Sequence, residues 1–170
     1  LTLLLGQALE LPPGVAQDLG VAGLYHDCGY AAAPAAPGNT PPALAEHGLR
    51  GARLLLRQKG YHEAKTRRLL AVLQHHRDAD AKPRPGLFGR ILRIAEDYET
   101  LVRHGRRTAP TYALAAMQKW SGSRYDPVLL QLFVNTLGAY PPGTLLRLAD
   151  GRVVRCAAPA ITRAAFAHPR

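Results

Sequence analysis

Cysteine is nearly absent from this 170-residue chain, which carries Cys28 and Cys156 and no others. So few thiols, so far apart, exclude a disulfide framework and a thiolate-built zinc knot, and they fit a reducing, cytoplasmic setting. Long apolar runs are missing as well. Leu1 to Leu5 is hydrophobic, but Gln7, Glu10 and Pro12-Pro13 end it far short of a membrane span, and no basic leader precedes it. Acidic residues are scarce, 12 against 22 lysines and arginines, which leaves a net charge of +10. Charge alone would suit a polyanion. Yet the arginines are scattered over several predicted helices, aromatics make up 6% of the chain, and no nucleic-acid-binding motif occurs. The charge therefore reads as a solvated surface, with some arginines available to an anionic phosphate substrate. Position 1 is not Met, as expected of a piece of something longer.

What is present is mostly helical periodicity. Apolar spacing predicts helices over Leu1 to Leu9, Val15 to Tyr25, Ala43 to Gln58, Glu63 to His76, Leu87 to His104 and Pro110 to Trp120. Another follows Asp126-Pro127, a strong cap and first-turn pair, and ends near Gly138. Tyr30 to Pro42 and Arg77 to Gly86, rich in Pro, Gly and polar residues, read as loops. Leu69, Leu70, Val72 and Leu73 are the expected buried side of the fourth helix. Leu87, Ile91, Ile94, Tyr98 and Leu101 form one stripe on the fifth. Glu96 lies about 200° around that helix from Ile94, so it projects from another face. Near the end the period changes, and Thr144 to Leu148 and Arg152 to Cys156 flank an Asp150-Gly151 turn, which predicts a β-hairpin. The expectation is an all-α helical bundle over residues 1–137 with a small hairpin extension and a poorly ordered tail over 138–170. No internal repeat is evident.

The chemistry sits in an ordered histidine series. His26-Asp27 ends an apolar stretch, His47 follows with Gly51 one turn on, His75-His76 closes a helix, and Glu96 lies within the next. Taken singly, each has an ordinary explanation as a helix-end or solvated residue. Together they supply nitrogen and carboxylate donors without thiolates, a set suited to iron or manganese. His62 stands outside the pattern and is expected at the surface.

These segments resemble the HD superfamily of metal-dependent phosphohydrolases, and more narrowly its HD-GYP branch, which hydrolyses cyclic di-GMP. His26-Asp27-Cys28-Gly29 looks like the HD-x-G motif, and His47-Gly48-Leu49-Arg50-Gly51 like H-P-x-x-G. His75-His76-Arg77-Asp78 matches the start of H-H-E-x-x-D-G-x-G-Y-P, and Ile94 to Leu101 sits where the family has V-A-D-x-Y-D-A-L. Arg124-Tyr125-Asp126-Pro127 and Tyr140 to Thr144 resemble its late segments. The resemblance implies two or more divalent metal ions, iron or manganese, held by His26, Asp27, His47, His75, His76 and Glu96. In that reading Asp27 bridges the ions, and His26 and Asp27 are catalytic. Arg103, Arg106 and Arg107 are candidates for substrate phosphate. Tyr30 departs from the family's lysine, the Gly-Tyr-Pro segment is missing, Glu96 replaces an aspartate, and a further ligand would fall ahead of Leu1. The implied activity is a phosphodiesterase acting on a cyclic dinucleotide or related phosphoester, with a sensory or receiver domain upstream and a homodimer as compatible partners. The alternatives are a degenerate, non-catalytic signalling module that binds a nucleotide or partner protein, and a basic nucleic-acid-binding helical domain.

Overall fold

The computed structural model describes residues 1–31, 41–103 and 108–157, with backbone alone for 41–45. Its elements are α1 (Thr2–Ala8), α2 (Pro13–Tyr25), a 3₁₀ turn (Cys28–Tyr30), α3 (Pro41–Leu56), α4 (Glu63–Gln74), α5 (Leu87–Arg103), α6 (Pro110–Gln118), α7 (Pro127–Leu137), β1 (Leu145–Arg147) and β2 (Val153–Arg155). The all-α architecture with a terminal hairpin is as the sequence patterns predict. No helix among the described residues is long and apolar enough to cross a membrane. The chain forms two compact units, Leu1–Arg93 and Ile94–Arg170. Expectations for the Pro- and Gly-rich stretch 32–40, for His104 and for the tail 158–170 fall outside the described residues.

In the first unit α1 packs on α2, α2 on α4, and α3 on both α4 and the 3₁₀ turn. Leu5, Leu19, Ala22, Ala52, Leu55, Ala71, Val72 and Ile91 are buried there. The α2–α4 contact includes charge. Buried Asp18 receives Arg67 Nη2 at 2.6 Å and Arg68 Nη2 at 2.5 Å, so a carboxylate inside an apolar helix is held by two guanidinium groups. Burial by itself would raise the Asp18 pKa, but the two arginines outweigh it and leave the group below the usual carboxylate range.

The fourth helix corrects its predicted stripe. Leu70 and Leu73 are each 40% exposed, and the buried positions are Lys65, Ala71 and Val72. Lys65 belongs inside because its Nζ donates to the carbonyls of Leu56, Gln58 and Gly60. It thereby satisfies acceptors left open where α3 ends. His62, expected at the surface, is exposed and also caps α4, its Nδ1 accepting from the Lys65 amide at 3.1 Å. The third helix begins at Pro41, two residues earlier than predicted. Proline is tolerated in a first helical turn because no amide there needs an intrahelical partner. On α5 the buried side is wider than one stripe, since Phe88, Leu92, Arg93 and Ala95 are buried alongside Ile91, Ile94 and Tyr98.

In the second unit Asp126 caps α7 as its sequence suggests, accepting from the Val128 and Leu129 amides at 3.0 and 3.1 Å. Asp97 takes a two-pronged contact from Arg124, at 2.9 and 3.0 Å, and the Tyr125 hydroxyl at 2.8 Å. Two of the motif-like segments therefore meet in a structural contact. Leu129, Leu130, Phe133 and Leu137 of α7 are buried, with Phe133 edge-on to Tyr98. The hairpin pairs Leu145 with Arg155, Leu146 with Val154 and Arg147 with Val153. Hydrogen bonds from Leu148 N to Arg152 O and from Cys156 N to Thr144 O extend the ladder to the predicted bounds. Gly151, at φ +86°, takes the left-handed position of the turn. No disulfide forms among the described residues.

Candidate metal centre

Two helices of the first unit end the same way. His26 is the C-cap of α2 and His75 the C-cap of α4, and each folds back on the carbonyl three residues earlier. The Nδ1 of His26 lies 2.7 Å from Gly23 O, and that of His75 lies 2.7 Å from Val72 O. A carbonyl can only accept, so each Nδ1 carries a hydrogen and each Nε2 is turned away from the helix; in a ring without a second proton that Nε2 is the lone pair. This is how a protein fixes the tautomer of a metal-ligating imidazole.

The third imidazole comes from mid-α3. His47 is fully buried, and its Nε2 lies 2.9 Å from His75 Nε2 and 3.1 Å from His76 Nε2. Asp27 sits just past α2, half-exposed, with Oδ1 at 3.2 Å from His47 Nε2 and 3.8 Å from His75 Nε2, and Oδ2 at 3.4 Å from His26 Nε2. The sequence series therefore converges for His26, Asp27, His47, His75 and His76. Glycines allow the approach. A Cβ on Gly29 would stand 1.8 Å from the His47 carbonyl oxygen, and one on Gly51 would stand 2.8 Å from Val72 Cγ1 and 3.1 Å from Cys28 Sγ. The glycines of both short motifs thus let the 3₁₀ turn and α4 close on α3. Tyr30, in place of a lysine, stacks on the His47 ring with centroids 4.3 Å apart. Burial pushes the pKa of the Cys28 thiol up.

Burial first, then the neighbouring His76, His26 and His47 rings, push the His75 pKa down to about 3, against the opposing Val72 carbonyl. Its Nε2 is therefore a lone pair at neutral pH, yet it faces the Asp27 Oδ1 acceptor at 3.8 Å. Acceptors crowded together at such distances call for a cation between them. Metal–ligand bonds of about 2.0–2.2 Å put neighbouring donor atoms about 3.0–3.5 Å apart. The separations here, from 2.9 to 3.8 Å, fit that geometry.

Acid should unfold the metal-free chain. Folded, His75 stays neutral down to about 3, whereas the unfolded chain takes up that proton near the ordinary histidine value of 6.5, so stability falls as pH drops through this interval. Asp18, with its folded value depressed, adds a second loss as pH falls through the region below 3.8. Thermal melts of chelator-treated protein should show Tm falling from about pH 7.5 to about pH 4.5, with His75→Gln flattening the dependence. A level profile in the wild type contradicts the buried neutral ring.

The remaining predicted residues divide. Glu96 is half-buried on α5 in the second unit. Arg103 is 73% exposed at the end of α5 and forms a 3.3 Å ion pair with Glu99. Arg106 and Arg107 lie outside the described residues. The guanidinium that does touch the histidines is one the motifs do not mark: Arg93 Nη1 lies 3.2 Å from His76 Nδ1, and its Nη2 lies 3.3 Å from Asp78 Oδ1. Its signal in the sequence is an arginine interrupting the apolar run Ile91-Leu92-Arg93-Ile94, where a solvated cation has no place.

No family model matches the chain. A protein of Pseudomonas aeruginosa named as a cyclic di-GMP phosphodiesterase is similar to it, 29% identical over 174 residues, covering 90% of this chain. The chain spans 41% of that relative's length.

Proposed function

We propose that this chain is an HD-GYP-type, metal-dependent phosphodiesterase that opens a cyclic dinucleotide. The observation that carries the reading is the convergence of His47 Nε2, His26 Nε2 and His75 Nε2 on the Asp27 carboxylate, at 3.2, 3.4 and 3.8 Å. Similarity to a cyclic di-GMP phosphodiesterase supports the substrate class. Glu96 joins the ligand set on sequence grounds. A divalent ion in this set supplies Lewis acidity and a hydrolytic nucleophile at neutral pH.

The chain's own residues do the rest. The carbonyls of Gly23 and Val72 hold the His26 and His75 rings with their lone pairs directed inward. Asp27 is the one strongly exposed member among His26, Asp27, His47 and His75, so it meets substrate and water at the mouth of the site. Tyr30 seals His47 and offers a partly exposed aromatic face beside it. That face suits a nucleobase better than a phosphate, so base stacking replaces the charge a lysine would give.

The test is hydrolysis of cyclic di-GMP by protein loaded anaerobically with iron or manganese. Appearance of the linear dinucleotide, abolished by chelation and restored by metal, is the expected result. Metal-loaded protein that binds the dinucleotide without cleaving it would favour a non-catalytic signalling module. Salt-dependent nucleic-acid binding by a metal-free chain would favour the basic-domain reading.

A further inference from the structure

We propose that the groove along α3 lined by Arg50, Arg53 and Arg57 binds a terminal phosphate, the group that opening a cyclic dinucleotide creates. The identity of the ligand rests on the reaction proposed above, whereas the groove is read from α3 alone.

Arg50, Arg53 and Arg57 follow one another at spacings of three and four, which places them on one side of the helix. That side is not the one α4 covers. A Cβ added at Gly48 would stand 3.0 Å from the Val72 carbonyl oxygen, and one at Gly51 would stand 2.8 Å from Val72 Cγ1. Both glycines lie about 100° or more around α3 from each arginine, so the basic stripe is on the flank away from α4. The stripe is concave. It encloses a cavity of about 240 Å³ lined by the three arginines and Leu54, and no carboxylate lines it among the described residues.

Arg50 supplies the buried end. Its Nη2 donates to Glu46 Oε2 at 2.5 Å, whereas its Nη1 is buried and meets no acceptor among the described residues. A buried guanidinium donor in that position calls for an oxygen. Arg53 and Arg57 are exposed, so their guanidinium groups are accessible to a ligand from solvent. The planar fork of arginine takes phosphate oxygens two at a time.

Charge selects the kind of phosphate. Three guanidinium groups against the one Glu46 carboxylate leave two positive charges. A phosphodiester carries one negative charge, and a phosphomonoester carries close to two at neutral pH. In hydrolysis the oxygen of water joins phosphorus, one sugar oxygen leaves with a proton, and a diester becomes a monoester. The cyclic substrate therefore lacks the group that matches the groove, and the linear product has it. Arg50 stands one turn beyond His47 on the same helix, and the stripe runs about 10 Å from there to Arg57.

Side-chain Nε–H correlation NMR on ¹⁵N-labelled protein in chelator reads these arginines without turnover. The probes are the linear guanosine dinucleotide bearing a 5′ phosphate, cyclic di-GMP and inorganic phosphate. The linear dinucleotide should move the Arg50, Arg53 and Arg57 resonances and bind more than about tenfold tighter than the cyclic one. The double variant Arg53→Gln/Arg57→Gln changes two exposed residues, so it should melt as wild type and lose more than about tenfold of that affinity. Arg152→Gln, which removes an exposed charge from the hairpin, should bind as wild type. Equal affinity for the cyclic and linear dinucleotides, or an equal loss in Arg152→Gln, overturns the proposal. Inorganic phosphate bound as tightly as the linear dinucleotide overturns the assignment to a nucleotide. Hydrolysis by the metal-loaded chain with no binding in the groove overturns this proposal alone. Binding in the groove by a chain that never opens the cyclic dinucleotide overturns the product assignment together with the proposed reaction.

Discussion

Gly29→Ala should cost about 4 kcal/mol or more of stability and abolish metal binding. The added Cβ would lie 1.8 Å from the His47 carbonyl oxygen and 2.7 Å from the Gly51 amide nitrogen, backbone against backbone, with no side-chain rotation to relieve it. The 3₁₀ turn must move off α3, taking Asp27 away from His47. Gly51→Ala should be milder, about 1–3 kcal/mol, because its closest contact is the Val72 side chain, which can give. Gly14→Ala is the control, since a methyl added there meets nothing within 4 Å and the residue lies in the first turn of α2. It should be neutral or slightly stabilising. Denaturant melts of the three variants check the ranking, and a Gly29→Ala melt within about 1 kcal/mol of wild type contradicts the close approach.

The second large effect is expected at Asp27, where stability and activity should move in opposite directions. In the metal-free protein its oxygens lie 3.2 Å from His47 Nε2, 3.4 Å from His26 Nε2 and 3.8 Å from the Nε2 lone pair of the neutral His75. Asp27→Asn keeps the shape and turns an acceptor into a donor, so it relieves the crowding and should stabilise the metal-free chain by about 0.5–1.5 kcal/mol. The same change removes the negative ligand. Since loss of an outer partner of a metal ligand costs about 10–100-fold, loss of a ligand itself should lower phosphodiester hydrolysis by more than about 100-fold. Melting temperatures in chelator, read beside initial rates with metal, check both signs. A variant less stable than wild type in chelator would mean that the carboxylate already has a hydrogen-bonding role without metal.

Most of the cluster is legible in the sequence because its members lie in short motifs, His26, Asp27, His75 and His76 at or just past helix ends that periodicity places, and His47 within α3. His26, Asp27, His47, His75 and His76 need no tertiary information to be singled out. What decides their chemistry does need it. The Gly23 and Val72 carbonyls that set two tautomers are anonymous in a sequence, and so is the backbone contact that requires glycine at position 29. Arg93, Asp18 and Lys65 escape a sequence reading for one shared reason: each is a charged residue buried by partners distant in sequence or in backbone groups, whereas sequence patterning sends charge to the surface. Leu70 and Leu73 are the converse, apolar residues in a helical pattern that the fold leaves 40% exposed.

The central claim is that the His26, Asp27, His47 and His75 cluster holds a catalytic divalent metal, and metal content addresses it most directly. Protein purified anaerobically without chelators should carry iron or manganese, at least one ion per chain, by mass spectrometry, and a folded His75→Ala variant should carry markedly less. Wild-type protein that is folded yet takes up no metal, even after incubation with iron or manganese, contradicts it.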